Sequence, residues 1–328
     1  MVNRLASIII PCFNAEQWLS ESIDSALKQT YSSVEIIVID DGSSDGSLDI
    51  IKSYGDRIIW ETGPNRGGNH ARNRGFAISK GNYIQFLDAD DYLLPQKLEK
   101  QIRFLETAGA DVVYGDWRHQ YHLENGKVIL DDIKTSGNQP DILKSLLADW
   151  WVSPACLLFR RSAVESSGGW DETLSAGQDR DFFLAVVMSG AQVIYQPECD
   201  AIYRRYGNVT VSSASQERYL ENHLKILEKY EARLNQEDKL LDSYKDALAQ
   251  SYFLIARKYL ETNPALYSQF LAKTLSLSPK FQAQGSERTF LYSFAQKLLS
   301  FRKLEFLVVT LKQLSKKLRN GPHNTLSA

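Results

Sequence analysis

The chain has 328 residues, of which 43% are hydrophobic and 24% charged. This length suggests one large domain with an appendage, or two domains, and the globular composition excludes disorder across the chain. The formal net charge of -2 at pH 7 gives no basis for a nucleic-acid partner.

Short apolar runs alternate with helical patterns over the first 90 residues. Isoleucine-rich runs bounded by turn residues are typical of strands buried on both faces, and apolar residues at spacings of three and four predict helices. The predicted strands are 6–11, 34–39, 58–60 and 83–87, and the predicted helices are 16–30, 47–54 and 69–79. This alternation predicts an α/β fold, in which helices cover a mostly parallel, Rossmann-like sheet.

The middle and the end of the chain differ in character. Residues 111–211 mix further short strands (112–114, 155–159 and 192–195) with helices at 141–148 and 179–189. From about Ser215 onward the pattern is helical, and proline and glycine become sparse. We therefore expect two domains, 1–213 and an all-α C-terminal region, 214–328.

Two acidic clusters follow predicted strands directly, Asp40-Asp41 and the run at 88–91, D-A-D-D. Because ligands of parallel sheets bind at the carboxyl ends of the strands, we expect both clusters to lie in one crevice. Several carboxylates within four positions repel one another unless a cation lies among them. The second cluster therefore suggests a site for Mn²⁺ or Mg²⁺, whereas the first is equally typical of a turn or helix cap.

Four segments stand in order along the chain: S-I-I-I-P-C-F-N, V-I-D-D-G-S-S-D, N-R-G-G-N-H-A-R-N-R-G and Y-I-Q-F-L-D-A-D-D. Together they resemble family 2 of the glycosyltransferases, which has the GT-A fold. The resemblance covers about residues 5–211. It implies an inverting enzyme that moves a sugar from a nucleotide-diphosphate donor, commonly a UDP-sugar, to an acceptor hydroxyl, in the synthesis of a polysaccharide, glycolipid or other glycoconjugate.

The resemblance also implies roles for residues in the first two segments. Pro11, Phe13 and Asn14 would line the nucleotide pocket at the end of the first strand. Asp41 matches the aspartate that hydrogen-bonds the base, and a carboxylate is suited to accept from the uracil ring N–H.

The third and fourth segments imply contacts nearer the reacting bond. Arg72 would face the diphosphate or the base, because its planar guanidinium suits phosphate; the alternative is a surface helix residue. Asp88 would contact the ribose or the donor sugar. Asp90 matches the family's direct metal ligand, so a divalent cation, Mn²⁺ or Mg²⁺, is the implied cofactor.

The general base is expected further along, in G-G-W-D-E-T-L-S-A-G-Q-D-R-D-F-F. Alignment through the aromatic pair that follows identifies Asp179 with the family's catalytic aspartate. Gln178 stands where relatives carry a glutamate, and acceptor binding is the role that this position implies. Asp181 is the competing base, and the alternative for it is a helix-surface charge.

Two further pairs are weaker candidates. Arg204 and Arg205 occupy the place where relatives carry a loop that closes over the donor, so either is expected to pair with the diphosphate; a structural role is equally compatible. Trp150 and Trp151 suit stacking on an acceptor sugar, although adjacent tryptophans more often fill a core.

Residues 297–319 form a predicted amphipathic helix. Five leucines recur at spacings of three and four, and seven basic residues accompany the single acid Glu305. A basic amphipathic helix suits peripheral contact with an anionic membrane surface, which would bring the enzyme to a lipid-linked acceptor. The alternative is that the leucines pack on the preceding helices or on a second subunit of a homo-oligomer. The leucines are Leu304, Leu307, Leu311, Leu314 and Leu318.

The chain shows no secretory or membrane-spanning pattern. A strand-like segment begins at once, without an apolar signal region, and no stretch approaches the ~20 apolar residues needed to cross a bilayer. We therefore expect a cytoplasmic protein, with any membrane contact peripheral and at the inner face.

Other classes of protein fit less well. A Rossmann dehydrogenase needs G-x-G-x-x-G after the first strand, where P-C-F-N stands, and a P-loop enzyme needs G-K-[ST], which is absent from the sequence. A nucleotide-sugar-binding protein without turnover remains the alternative, and Asp179 argues against it because such a protein needs no base.

Overall fold

The structure is a computed structural model that describes residues 4–207 and 215–283, with residues 292, 295, 299, 301, 303–308 and 310 beyond them. Its described part contains one nine-stranded mixed sheet. The strands are β1 Ala6–Cys12, β2 Val34–Asp40, β3 Ile59–Thr62, β4 Tyr83–Phe86, β5 Tyr92–Leu93, β6 Val112–His122, β7 Val128–Lys134, β8 Leu157–Arg160 and β9 Val193–Tyr206. The helices are α1 Leu19–Leu27, α2 Ser47–Ser53, α3 Gly68–Ile78, α4 Lys97–Ala108, α5 Ile142–Leu147, α6 Arg161–Ser167, α7 Gln178–Met188, α8 Gln216–Gln236, α9 Asp242–Tyr259 and α10 Pro264–Leu277.

The first half of the sheet is parallel, as the alternating pattern predicts. The strand order is β3-β2-β1-β4-β8-β6-β9-β5, and β1 pairs in parallel with both β2 and β4. The three isoleucines of β1 are fully buried because helices and strands surround them. Since β2 and β4 flank β1, the acidic clusters that follow them come out at the same edge of the sheet.

Helix α3 lies unusually close to this sheet. A Cβ at Gly75 would overlap the Cγ2 methyl of Ile9 and would also crowd Ile39, so glycine is what permits the approach. Ala71, one turn earlier, packs in a buried cluster with Ile37 and Ile39. The position of α3 is therefore fixed by close packing on β1 and β2.

The second half of the sheet differs from the sequence-based prediction. Short strands were expected at 112–114 and 192–195, but β6 and β9 run on together as a long parallel pair from Val112↔Val193 to His122↔Tyr206. β8 pairs antiparallel with β4 and with the start of β6, and β7 pairs antiparallel with the end of β6. The long pair matters because β9 carries side chains into the site.

The chain divides into two compact units, 1–146 with 150–223, and 147–149 with 224–328. The first contains the sheet. The second contains α9 and α10, whose apolar faces form a buried cluster that includes Phe253, Phe281 and Leu304. The domain division expected at 213/214 stays a prediction.

The C-terminal amphipathic segment is described only in part. Leu304 is buried against Phe253 and Phe281, whereas Leu307 is exposed. Leu311, Leu314 and Leu318 and most of the basic residues lie outside the described residues. Within the described part of the chain, none of the helices has both the length and the apolar character that crossing a membrane requires.

Candidate active site

The loops after β1 and β2 are hydrogen-bonded to each other. Asn14, with a φ of 50°, donates its backbone N–H to Ser43 Oγ at 2.9 Å, and its side-chain oxygen accepts from the Ser44 backbone at 2.8 Å. Pro11 is half-buried at the end of β1, and the Phe13 ring is 51% exposed. The three residues expected to line the nucleotide pocket therefore stand together at the carboxyl end of β1.

Asp41 connects the loop after β2 to the start of α3. Its carboxylate is buried and accepts the backbone N–H groups of Arg66 and Gly67, each at 2.8 Å. Gly67 immediately precedes α3 and has a φ of 95°, a conformation that favours glycine. The carboxylate therefore fixes where α3 begins, and its expected contact with the base stays a prediction.

Arg72 projects from α3 into the site. Its side chain is buried, so the surface alternative is wrong. Nη2 donates to Asp88 Oδ1 at 2.6 Å, and the guanidinium carbon lies 4.6 Å from the centre of the Trp170 ring. Burial by itself lowers the pKa of Arg72, but the charges of Asp88, Asp179 and Asp90 together raise it. Arg72 is thus the cation that acts on Asp88 and Asp179, whereas Arg204 is the cation that lowers the pKa values of Asp90 and Asp91.

The acidic loop after β4 contains carboxyl groups under electrostatic strain. Burial, and then the charge of Asp88, raise the pKa of Asp90, against a hydrogen bond from the Tyr206 hydroxyl at 3.0 Å. Burial and both neighbouring aspartates raise the pKa of Asp91 still further. One oxygen of Asp91 accepts the Arg204 backbone N–H at 2.8 Å, and the other has no hydrogen-bond partner among the described residues.

These carboxyl groups fit a divalent cation. Across the described residues, no three His, Cys, Asp or Glu side chains form a complete metal site. Mg²⁺ and similar ions are, however, commonly held by one or two carboxylates together with substrate phosphates. Asp90, half-buried and raised in pKa by its acidic neighbour, is suited to such a partial site, because a cation would relieve that repulsion.

Arg204 is held within the protein. Its buried guanidinium donates to the Asp90 carbonyl at 2.6 Å and to Glu21 on α1, and it lies 4.4 Å from the centre of the Trp18 ring. Arg205 is half-buried, with its guanidinium 4.7 Å from the centre of the Tyr203 ring. Contact of either arginine with a diphosphate stays a prediction. For Arg204, the contacts with Glu21 and the Asp90 carbonyl favour the alternative, a structural role.

Asp179 lies at the start of α7, after Gly177 in the left-handed conformation. Burial raises the pKa of Asp179 to about 6, while Arg72 lowers it and Asp88 raises it. The neighbouring Gln178 donates to the Leu174 carbonyl at 3.2 Å, which holds its amide near the turn before α7. Asp181 is buried, so the helix-surface alternative proposed for it is wrong.

The two tryptophans occupy different environments. Trp150 donates to the Ser136 carbonyl at 3.3 Å and packs edge-on against Tyr114, as expected of a core residue. Trp151 is 40% exposed and lies 5.5 Å from Trp117 between ring centres. Of the pair, Trp151 alone has the exposure that stacking on a sugar requires.

Several residues of the site were not predicted from the sequence. Tyr206 follows the arginine pair directly and hydrogen-bonds Asp90, and Glu21 anchors Arg204 from α1. Trp170 provides the aromatic face under Arg72. Trp170 and Tyr206 had a signal in the sequence, because Trp170 belongs to the segment that carries the base and Tyr206 directly follows the candidate arginines, whereas Glu21 had none.

Comparison with solved structures identifies the fold. S. aureus TarS in complex with UDP-GlcNAc matches with a TM-score of 0.65 at 19% sequence identity, over 84% of this chain and 82% of that chain. The fold is therefore the GT-A fold of nucleotide-sugar transferases, with an additional helical C-terminal region.

The chain belongs to family 2 of the glycosyltransferases. The model described as Glycosyl transferase family 2 matches residues 7–168. An uncharacterized glycosyltransferase of Haemophilus influenzae is 33% identical over 213 residues, which are 64% of this chain and 82% of that protein. The Escherichia coli enzyme UDP-Glc:alpha-D-GlcNAc-diphosphoundecaprenol beta-1,3-glucosyltransferase WfaP is 41% identical over 128 residues, 38% of this chain and 49% of its own length.

Proposed function

We propose that this glycosyltransferase transfers a sugar, a hexose or a related residue, from a UDP-sugar to an acceptor hydroxyl with inversion and with the help of Mn²⁺ or Mg²⁺. The observation that carries the proposal is Asp179, whose carboxyl has its pKa raised to about 6 by burial and acted on in opposite directions by Arg72 and Asp88, which are themselves hydrogen-bonded. An aspartate in that environment is ionised at neutral pH yet basic enough to take a proton, which is what a general base requires.

In the proposed reaction, the acceptor hydroxyl attacks the anomeric carbon of the donor sugar from the face opposite the diphosphate. Asp179 takes the proton that this hydroxyl loses, and the bond to the diphosphate breaks as the new glycosidic bond forms. The attack inverts the anomeric carbon, so a second carboxylate is not required as a nucleophile. Proton transfer to a positioned base typically contributes ~10²–10⁴-fold to the rate.

The other charged groups bind the donor. Arg72 holds the Asp88 carboxylate at 2.6 Å, which positions it to accept hydrogen bonds from the ribose or the donor sugar. Asp90 would hold the cation, which when bound offsets the negative charge that builds on the departing diphosphate. Pro11, Phe13, Asn14 and Asp41 would bind the nucleoside. Arg72, Arg204 and Arg205 are the candidates for the diphosphate, and the contacts of Arg204 with Glu21 and the Asp90 carbonyl favour a structural role for that residue.

The E. coli relative's name gives UDP-glucose as donor and a GlcNAc-diphosphoundecaprenol as acceptor. A lipid-linked acceptor for this chain would agree with a role in polysaccharide or glycolipid synthesis.

We further propose that the protein is cytoplasmic and that residues 297–319 make peripheral contact with the inner face of the membrane. Flotation of the full chain with anionic vesicles at low salt tests this contact, and failure to float would contradict it. Packing of those residues on a second subunit remains the alternative.

The proposed function is tested by a screen of nucleotide sugars for release of the nucleotide, with and without Mn²⁺. We expect slow, Mn²⁺-dependent release of UDP from one or two UDP-sugars even without acceptor, as water replaces the acceptor hydroxyl. Tight nucleotide binding without turnover under any condition would favour the non-catalytic alternative.

A further inference from the structure

Residues 170–174 lead from α6 toward α7 and lie against α3; we call them the bridging segment. Asn73 of α3 holds both backbone groups of Trp170, because its side-chain oxygen accepts the Trp170 N–H and its amide donates to the Trp170 carbonyl, each at 2.9 Å. Asn69, one helical turn earlier, donates to the Asp171 carbonyl at 2.6 Å. The two asparagines therefore fix the start of the bridging segment on α3.

The end of the bridging segment is tied to α7 as well as to α3. The carbonyl of Leu174 accepts the side-chain amide of Gln178 at 3.2 Å and that of Asn69 at 3.5 Å. Gln178 is the first residue of α7 and directly precedes Asp179. The helix that carries Arg72 and the helix that carries the proposed base thus donate to one shared carbonyl.

The Trp170 side chain makes a second connection between the two helices. The guanidinium carbon of Arg72, on α3, lies 4.6 Å from the centre of the Trp170 ring. The ring of Phe182, on α7, is stacked on Trp170 with 4.2 Å between ring centres and 7° between ring planes. Trp170 is only 4% exposed, so water is excluded from this contact. Cation–ring and stacked-ring contacts of this kind hold their partners in a defined geometry.

Both contacts of Trp170 lead to the surroundings of Asp179. Phe182 is three residues after Asp179, so the two side chains share a face of α7. Burial raises the pKa of Asp179, and Arg72 is the cation that lowers it, while the same guanidinium holds Asp88 at 2.6 Å. Trp170 therefore touches both the cation that acts on the base and the helical turn that carries the base.

We propose that Trp170 is a positioning residue for the transfer reaction, which fixes the Asp179 carboxyl relative to Arg72 and Asp88. The base would then meet the acceptor hydroxyl at a set distance from the donor. Such precision matters because a displacement of about 1 Å at the reacting groups costs as much as ~10²-fold in rate. This inference rests on the proposed function, which supplies the role of Asp179.

The first test measures Mn²⁺-dependent release of UDP from UDP-glucose and from UDP-N-acetylglucosamine by the full chain. Trp170→Leu should lower kcat about tenfold or more and change the KM for the donor less than about twofold, because the Arg72–Asp88 pair remains. Trp170→Phe should restore most of kcat, since a flat ring still stacks on Phe182. In chains that already carry Asp179→Asn, Trp170→Leu should lower the rate no further, because a positioning effect disappears with the base.

The matched control is Trp117→Leu, which truncates another buried tryptophan, 8% exposed, on β6. It should destabilise the chain and leave kcat unchanged. Equal losses of kcat in Trp117→Leu and Trp170→Leu would reduce Trp170 to a core residue. A further loss of rate on adding Trp170→Leu to Asp179→Asn would overturn the proposal as well.

A second readout does not depend on turnover. Asp179→Asn should raise the thermal midpoint at pH 8, because it removes a buried ionised carboxyl. In chains that already carry Trp170→Leu this rise should fall by at least about half, because water reaches the carboxyl once the ring is gone. An equal rise in both backgrounds would overturn the proposal.

Two further outcomes keep the interpretation separate from folding and from the proposed function. If Trp170→Leu does not fold, Asn73→Ala, which removes the hydrogen bonds to the Trp170 backbone, replaces it in both tests with the same expected directions. Absence of UDP release by the unaltered chain would contradict the proposed function. The thermal midpoints would still decide whether Trp170 controls the surroundings of Asp179.

Discussion

Asp179 combines burial with two charged neighbours of opposite sign, and its behaviour with pH should reveal its role. Since its pKa is about 6, the carboxylate is available as a base above that pH and is protonated below it. We expect the transfer rate to rise with pH through about 6 and then to level off. Asp179→Asn should lower the rate by at least ~10²-fold and abolish this pH dependence, while calorimetry shows donor binding retained.

The control for Asp179 is Glu165→Gln, an exposed carboxylate on α6, which should behave like the unaltered chain. Stability gives an independent check. The folded pKa is raised above its ordinary value, so the ionised carboxyl opposes folding above about pH 6 and has no such effect below about pH 4. Asp179→Asn should therefore raise the thermal midpoint at pH 8 and leave it unchanged at pH 4. Normal turnover by Asp179→Asn would remove this residue from the mechanism and favour Asp181.

Asp90 is a second carboxyl whose ionised form is destabilised, because burial and the charge of Asp88 raise its pKa. Asp90→Asn should remove the Mn²⁺-dependent part of nucleotide binding, because the amide cannot replace an anionic oxygen toward the cation. Calorimetric titration of UDP with and without Mn²⁺ measures this directly. Asp132→Asn, which alters an exposed aspartate of β7, is the matched control. An unchanged Mn²⁺ effect in Asp90→Asn would show that the ion binds elsewhere.

For individual residues, the sequence identified candidate side chains more readily than it predicted their burial and their contacts. The order of motifs identified Asp179 and Asp90 as candidates because their neighbours in the chain are distinctive. Whether Trp150 or Trp151 faces solvent could not be predicted, because adjacent residues of one type differ only in what the rest of the fold brings against them. Arg204 was likewise proposed for a ligand, and its contact with Glu21 joins residues 183 positions apart in the chain.

Among the elements, β9 connects the sheet to both α1 and the acidic loop through Arg204. Arg204→Gln should lower the free energy of unfolding by about 2–3 kcal/mol, because Glu21 and the Asp90 carbonyl lose their buried donor. Glu21→Gln should cost less, since its side chain is 53% exposed and water can replace the arginine. The double variant should show a coupling of about 1 kcal/mol in chemical denaturation.

The neighbouring Arg205→Gln serves as the control for this cycle, because its guanidinium is only half-buried. It should change stability by less than about 1 kcal/mol. If Arg204→Gln instead weakened UDP binding with no loss of stability, Arg204 would be a diphosphate ligand after all.

β1, β2 and β4 were predictable because each is a short, largely apolar run that is mostly buried. β3 was predicted as well, although its residues are exposed or half-buried. β6 and β9 were predicted only at their first residues, where the sequence is apolar. The continuation of β6 alternates aromatic and polar residues, W-R-H-Q-Y-H, and that of β9 begins with the mixed segment Q-P-E-C-D. Neither pattern alone distinguishes an extended strand from a loop. The parallel partner across the sheet stabilises the extended form, and local sequence carries no record of it.

In the C-terminal unit, a single buried carboxylate joins three elements. Glu305 is fully buried and accepts from Arg257 at 2.9 Å, Tyr267 at 2.6 Å and Tyr292 at 2.7 Å. Glu305→Gln should cost about 3 kcal/mol, because the charge opposite Arg257 disappears within the core. Glu237→Gln, which breaks more exposed ion pairs with Arg233 and Lys239, should cost much less, because water screens those charges.

Thermal unfolding followed by calorimetry measures both changes. Equal effects of Glu305→Gln and Glu237→Gln would show that the buried cluster adds nothing to stability. In the sequence, Glu305 is the single acid of a basic amphipathic segment, which suggests an exposed charge. Its three buried donors could not be predicted, because Arg257, Tyr267 and Tyr292 belong to other parts of the chain.

Helix α3 is hydrogen-bonded to two carboxylates, Asp41 and Asp88, which are proposed to bind different parts of the donor. Asp41 holds the amide of Gly67 just before the helix, and Arg72 holds Asp88 from within it. Gly67 and Arg72 are five positions apart, which corresponds to a backbone rise of ~7.5 Å along a regular helix, and Gly75 allows the same helix to pack closely on the sheet. This backbone spacing is set by helix geometry and does not adjust to a ligand. If Asp41 binds the base and Asp88 the sugar, as proposed, α3 holds both carboxylates in place, and the site should favour donors in which one fixed length of linker joins nucleoside and sugar.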